Sequence, residues 1–190
     1  MNIFYESLPE SVCISGREYK IITDFREWIR FSDMLKSDIP DGFKMMFTKE
    51  MFLNALPEPF DFVEILNAFT SFLVMSEVQM PISAPTDNEK SKSNLSYEYD
   101  APYIISAFLR DYGIDLLNIP YLHWWKFKML LDGLDEKNQI KERVYYRDVD
   151  ASKIQDKEER KRVLRVKRAI ALPESVYVAD EEIGDAFAEN

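Results

Sequence analysis

The chain has 190 residues, with hydrophobic residues at 46% and aromatics at 14%, which is enough for a sizeable core and unlike a disordered chain. Its formal net charge is −10, from 34 Asp and Glu against 24 Lys and Arg, and this disfavours general nucleic-acid binding, which draws on phosphate neutralisation. A single cysteine, Cys13, excludes an intrachain disulfide and hence a disulfide-stapled secreted domain.

No early basic segment leads into a long apolar run, so no signal peptide is expected, and no apolar run is long enough to span a bilayer. Val12–Ile14 and Tyr19–Ile21 are short apolar runs around Ser15 and Gly16, which predicts a β-hairpin. Two strands alone are marginal in water, so the hairpin should lean on helices. Thr23 or Asp24 can cap the next helix, and Asp24 with Glu27 fits a capping box. Phe25, Trp28, Ile29 and Leu35 form its apolar stripe, widened by Phe31. Ile39, Pro40, Asp41 and Gly42 end it.

Met45, Met46, Phe47, Met51, Phe52 and Leu56 load the following segment. A helix start near Phe43 and one at Thr48 both fit, with Pro57 and Pro59 as the stop. Residues 60–76 predict a clean helix, because Phe62, Ile65, Leu66, Phe69, Phe72 and Leu73 recur three and four apart. Asp61 sits where the helix dipole favours an acid. Residues 80–96 hold almost nothing to bury and read as a linker or loop. The expected organisation is a hairpin and helices over 1–79, the linker over 80–96, a helical part over 97–172 and an acidic tail over 173–190. Residues 1–172 as one compact domain is the other arrangement that fits.

Residues 97–134 are the most aromatic and best punctuated stretch. Asp100 can cap a helix opening at Ala101 and Pro102, Ile104, Ala107, Phe108 and Tyr112 give it an apolar side, and Gly113 suits its end. Pro120 permits a second helix carrying Leu122, Trp125, Phe127, Met129, Leu130 and Leu131, which Gly133 stops. An αα-hairpin follows. Trp124, Trp125, Phe127 and Met129 cannot all face inward from one helix, so part of this set is expected as an exposed patch or oligomer interface. Farther on, Ile140, Val144 and Tyr145 mark a helix, and Arg147, Asp148 and Asp150 a polar loop. A charged helix then runs from about Asp156 to Leu172, with Val163, Val166 and Ile170 inward and Arg160, Arg165 and Arg168 on the polar side. The fold class is therefore mainly α, a helical bundle-like domain with a short N-terminal β-hairpin.

Motif chemistry is sparse. His123 is the single histidine, so it cannot build a clustered zinc site with Cys13. It reads as a partly buried residue bonded to backbone or carboxylate. Asp111 and Asp115 read as helix-end and turn residues. Glycine-rich phosphate loops and the common hydrolase signatures do not occur. No cofactor or metal is expected, and no enzymatic activity.

The order Asp100, Ala101, Pro102, Tyr103, Ile104, then Ala107, Phe108, then Tyr112, Gly113, Ile114, Asp115, Leu116, then Tyr121, Leu122, His123, Trp124, Trp125, Lys126, Phe127 resembles the phage gene-product-fifteen family. Its members are small proteins of phages and prophages of Gram-positive bacteria. Arg147, the later basic helix and the Ala171, Leu172, Pro173 exit also resemble it. The resemblance implies a tail-assembly chaperone or accessory protein in the bacterial host cytoplasm. It would keep the tape-measure protein soluble during virion morphogenesis and be absent from the finished particle. A structural tail or connector protein is the alternative. The implied contacts are Tyr121, His123, Trp124, Trp125, Phe127 and Met129, with Arg160, Arg165 and Arg168 on the basic helix. A second copy of the chain is a further partner that the aromatic excess allows, whereas nucleic acid and membrane are not expected.

Overall fold

The computed structural model describes residues 2–54, 56, 61–78 and 94–173. The sequence-predicted linker falls almost wholly outside these residues, as do Pro57, Pro59 and the acidic tail after Pro173. The described residues are mainly α-helical, with seven α-helices and a two-stranded antiparallel sheet near the N-terminus. They group into two compact units: 2–54, 56, 61–78 and 121–128 form one, and 94–120 and 129–173 form the other. The grouping does not follow chain order.

In the first unit, β1 (Ser11–Ile14) pairs with β2 (Arg17–Lys20), placing Val12 opposite Tyr19. Ser15 and Gly16 both adopt positive φ, at 49° and 74°, the geometry of a tight hairpin turn. Serine is an uncommon residue there. Here the Glu64 carboxylate accepts from both its N–H and its hydroxyl. That grip ties the hairpin to α3 (Phe62–Leu73), as the marginal stability of two strands requires.

Helix α1 (Phe25–Lys36) is capped by Asp24, whose carboxylate accepts from the Arg26 N–H. Glu27 pairs with Arg30, so the capping box is not used. Phe25, Trp28, Phe31, Met34 and Leu35 are buried, while Ile29 is half-buried. Helix α2 (Asp41–Glu50) takes the first of the two expected starts, opening two residues before Phe43 with Pro40 at its N-cap. Asp41 then lies in its first turn, where the dipole favours an acid.

Helix α3 begins at the Asp61 cap and ends without a glycine. Met75 takes the left-handed conformation, at φ 58°. The Met75 N–H bonds the Phe72 carbonyl and the Ser76 N–H bonds the Ser71 carbonyl, a Schellman closure. A non-glycine residue in this conformation costs about 1–2 kcal/mol. Met75 is buried, and its packing offsets that strain.

In the second unit, α4 (Ala101–Tyr112) ends at Gly113 with φ 65°, as its sequence predicts. Helix α5 (Trp124–Asp132) belongs to both units, its residues 124–128 to the first and 129–132 to the second. The predicted αα-hairpin is therefore not a self-contained element, because the start of its second helix is committed to N-terminal partners. Helix α6 (Gln139–Asp148) extends through Arg147, which is no loop residue. Both its terminal guanidinium nitrogens donate to the Asp100 carboxylate, at 2.6 and 2.8 Å. Arg147 also donates to the carbonyls of Asn94 and Ile170. One side chain thus ties the start of α4, the segment before it and the end of α7 (Lys157–Ala169). Asp100 occupies the α4 N-cap position but its side chain serves Arg147 and the Ser96 N–H instead.

Removing one member of a buried, bidentate pair strands the other charge, which costs more than the pair contributed. Arg147→Ala is expected to lower the unfolding free energy by about 3–5 kcal/mol in urea titrations followed by circular dichroism. A loss below about 1 kcal/mol would mean the pair is solvated and the staple absent.

Candidate interaction site

The sequence-predicted contact residues Tyr121, His123, Trp124, Trp125 and Phe127 lie in the first unit and Met129 in the second, and the backbone leading to α5 shows how the first five are placed. The Phe25 N–H bonds the Leu122 carbonyl at 2.9 Å and the Trp124 N–H bonds the Thr23 carbonyl at 2.8 Å. The Tyr121 and Thr23 hydroxyls meet at 2.7 Å. Residues 121–124 therefore pair with 23–25 where the chain enters α5.

His123 precedes the helix and does not share a helical face with Phe127. Its Nδ1 accepts the Trp125 N–H at 3.1 Å, so Nε2 carries the proton and donates to the Pro9 carbonyl at 2.9 Å. The buried, backbone-bonded histidine expected from sequence is what is found. Burial pushes its pKa below the ordinary 6.5, with the Pro9 carbonyl and Glu10 pulling weakly the other way.

The three indoles are buried to within 1% and each donates to a backbone carbonyl. Trp28 uses Ile22, Trp124 uses Leu73 and Trp125 uses Phe72, at 2.7, 2.9 and 2.8 Å. Phe127 stacks on Phe25 with 4.7 Å between ring centres, and Trp125 meets Phe72 at 5.3 Å. More than one face of α5 is covered by α1 and α3, so Trp124, Trp125 and Phe127 form no exposed patch in this fold. Met129 is half-buried, and Tyr121 keeps about half its surface exposed.

The basic helix is a different surface. Its Asp156 cap accepts from the Glu159 N–H. Glu158 pairs with Lys161 and Glu159 with Arg162, so part of its charge is answered within the helix. Arg160 donates to the Ile154 carbonyl, while Arg165 and Arg168 face solvent. Arg168 lines a 280 Å³ depression with Arg147, Leu164, Lys167 and Ala171.

Asp111 and Asp115 sit at the end of α4 and at the start of the following turn, as their positions suggest. Asp111 accepts from the Asp135 N–H, which holds its carboxyl below the usual carboxylate value, and also from Asn138 and Arg110. Asp115 is held low by Asn118 and the Leu117 N–H in its own turn. Among the described residues, no three His, Cys, Asp or Glu side chains gather as a metal site. No helix of the described residues is long and apolar enough to cross a membrane.

Sequence reasoning missed one surface. Helix α2 buries Lys44 and Thr48 while Phe43 and Met46 stand in solvent. The available signal was the spacing of Ile39, Phe43 and Met46, which is helical but had no assigned partner.

The profile of the bacteriophage Gp15 protein matches residues 4–172. The chain belongs to this family. Membership supports a structural or morphogenetic role among phage proteins, and contact with other phage proteins. No curated protein and no solved structure matches the chain.

Two outcomes follow for the Gp15-family chain. Because folded His123 resists protonation, its contribution to stability is complete above pH 6.5 and falls as pH drops through its lowered pKa. His123→Gln is therefore expected to flatten the decline of unfolding free energy as pH falls below 6.5; an unchanged slope would assign that decline to carboxylates. Separately, native tryptophan fluorescence should resist acrylamide quenching until the protein unfolds. Strong native quenching would place an indole at the surface.

Proposed function

We propose that this phage protein acts in the host cytoplasm as a tail-assembly chaperone or accessory protein, holding the tape-measure protein during tail morphogenesis without catalysing a reaction. The observation carrying this reading is the family match over residues 4–172. The tape-measure partner is taken from the family resemblance of the aromatic segment. The net charge of −10 suits a soluble holder of segments with basic stretches. Exposed apolar residues such as Phe43 and Met46 supply the kind of surface such a role needs.

Under this reading α5 is a structural element and the contacts move outward. Tyr121, Arg165 and Arg168 keep exposed atoms that a partner can reach, whereas Trp124, Trp125 and Phe127 shape the unit behind them.

Co-expression with the tape-measure protein of the same phage is expected to raise its soluble yield and to give a complex that survives size-exclusion chromatography. Mass spectrometry of purified particles should find the chain near absent. A stoichiometric presence in the particle would replace this reading with a structural tail or connector protein.

A further inference from the structure

Helix α7 carries seven basic residues against two acidic ones, in a chain whose net charge is −10. Lys157, Lys161, Arg165 and Arg168 follow one another at spacings of four, four and three, so they stand in line along one side of the helix. All four are exposed, while Val163 on the other side is buried and Val166 and Ile170 are half-buried. The line is poorly answered within the fold. Glu158 reaches Lys161 at 2.8 Å, whereas Glu159 turns to Arg162. Among the described residues, no ion pair or hydrogen bond holds the side chains of Lys157, Arg165 and Arg168. Like charges four residues apart weaken a helix, and the dipole opposes Lys157 at the first position. The far end of the line has an apolar side, because Leu164 and Ala171 share the depression that Arg168 lines.

The complement of this line lies in the same chain. Residues 174–190 hold Glu174, Asp180, Glu181, Glu182, Asp185 and Glu189 and no basic residue. They follow Pro173, which comes soon after α7 ends at Ala169. Fully extended they reach about 56 Å, against about 20 Å for the length of α7, so the carboxylates can lie along the whole line. The family match ends at Leu172 and assigns this tail no role.

We infer that the acidic tail, residues 174–190, folds back over α7 and covers Lys157, Lys161, Arg165 and Arg168, with an apolar residue of the 176–178 stretch against Leu164 and Ala171. A tether of this length holds the tail at an effective concentration on the order of millimolar, which a free acidic partner has to exceed. A free polyanion also meets the net negative charge of the chain. The tail thus guards α7, and a partner that takes Arg165 or Arg168 must displace it. The inference does not depend on the tape-measure reading above.

The test treats the full chain with a water-soluble carbodiimide, which joins a lysine amine to a carboxylate in direct contact, and identifies the coupled peptides by mass spectrometry. Tail carboxylates are expected on Lys157 and Lys161 about tenfold more often than on Lys20 and Lys137, which are also exposed. The preference should vanish at about 1 M salt, where screening is complete within a few ångströms. It should also fall in R165Q/R168Q, whose folding is checked by circular dichroism. In a second measurement, E174Q/D180N/E181Q/E182Q/D185N/E189Q in the full chain is expected to gain retention on heparin, and to lose it again when R165Q/R168Q is added.

Coupling spread evenly over the exposed lysines, or a preference that folded R165Q/R168Q leaves unchanged, overturns the inference. Coupled products of twice the chain mass that grow with protein concentration would assign the line to the tail of a second copy and overturn it. A wild-type chain already retained on heparin through α7 would make the line an open polyanion site. Heparin flow-through unchanged by tail neutralisation would show that the tail covers nothing there. Either result overturns the inference. Should the neutralised chain fail to fold, the coupling pattern of the wild-type chain decides.

Discussion

The first unit is organised by the need to satisfy indole N–H groups inside an apolar core. A buried tryptophan contributes a large apolar area, but its N–H costs free energy if left without an acceptor. Trp124 and Trp125 are adjacent, so a helix sends them in different directions. Both still reach the last turn of α3, where the carbonyls of Leu73 and Phe72 receive them. That requirement fixes the direction from which α5 enters. It also explains the pairing of 121–124 with 23–25 and the use of His123 to hold the Trp125 N–H on one side and the Pro9 carbonyl on the other. The aromatic segment lies far along the chain, yet its first turn completes a core begun by Trp28, Phe69 and Phe72.

The second unit answers a similar need with charge. Asp100 and Arg147 have side chains at most 4% exposed. Neither would remain there unpaired, because desolvating a lone ion costs several kcal/mol. Their bidentate contact, with the added carbonyls of Asn94 and Ile170, satisfies most of the guanidinium donors. This makes the start of α4 and the end of α7 mutually dependent. Helix α7 buries Val163 but leaves much of its surface to solvent. A helix so lightly packed gains from a fixed ion at its end.

Local signals were legible wherever a local rule decides the outcome. Asp24, one of two expected candidates, caps α1 and Gly113 closes α4, while Asp61 and Asp156, expected within the first turns of their helices, stand at the N-caps. The Ser15–Gly16 turn follows from residue type, but the register does not: Arg17 and Glu18 join β2, and Ile21, expected in that strand, bridges Phe52 instead. What escaped reading depends on distant partners. Met75 carries no sign of its left-handed backbone, because burial rather than residue type holds it. Arg147 looks like a loop residue until Asp100 is beside it. The number of aromatics in α5 exceeds what one helical face can bury, but the residues covering its other faces come from α1 and α3. A count of faces cannot contain that information.

The same reasoning separates residues that look like contacts from residues that can be contacts. Indoles in a capped, heavily bonded segment are drawn inward, since their N–H groups find better acceptors there than apolar bulk alone would need. Phe43 and Met46 have no such handle. Burying either side chain would gain about 1.5–3 kcal/mol, yet α2 turns them outward and takes Lys44 and Thr48 inside. The bonds at residues 20–22 and 51–53 set that orientation, because rotating α2 about its axis would break the pairing that follows it. The outward face is thus the outcome of a pinned backbone.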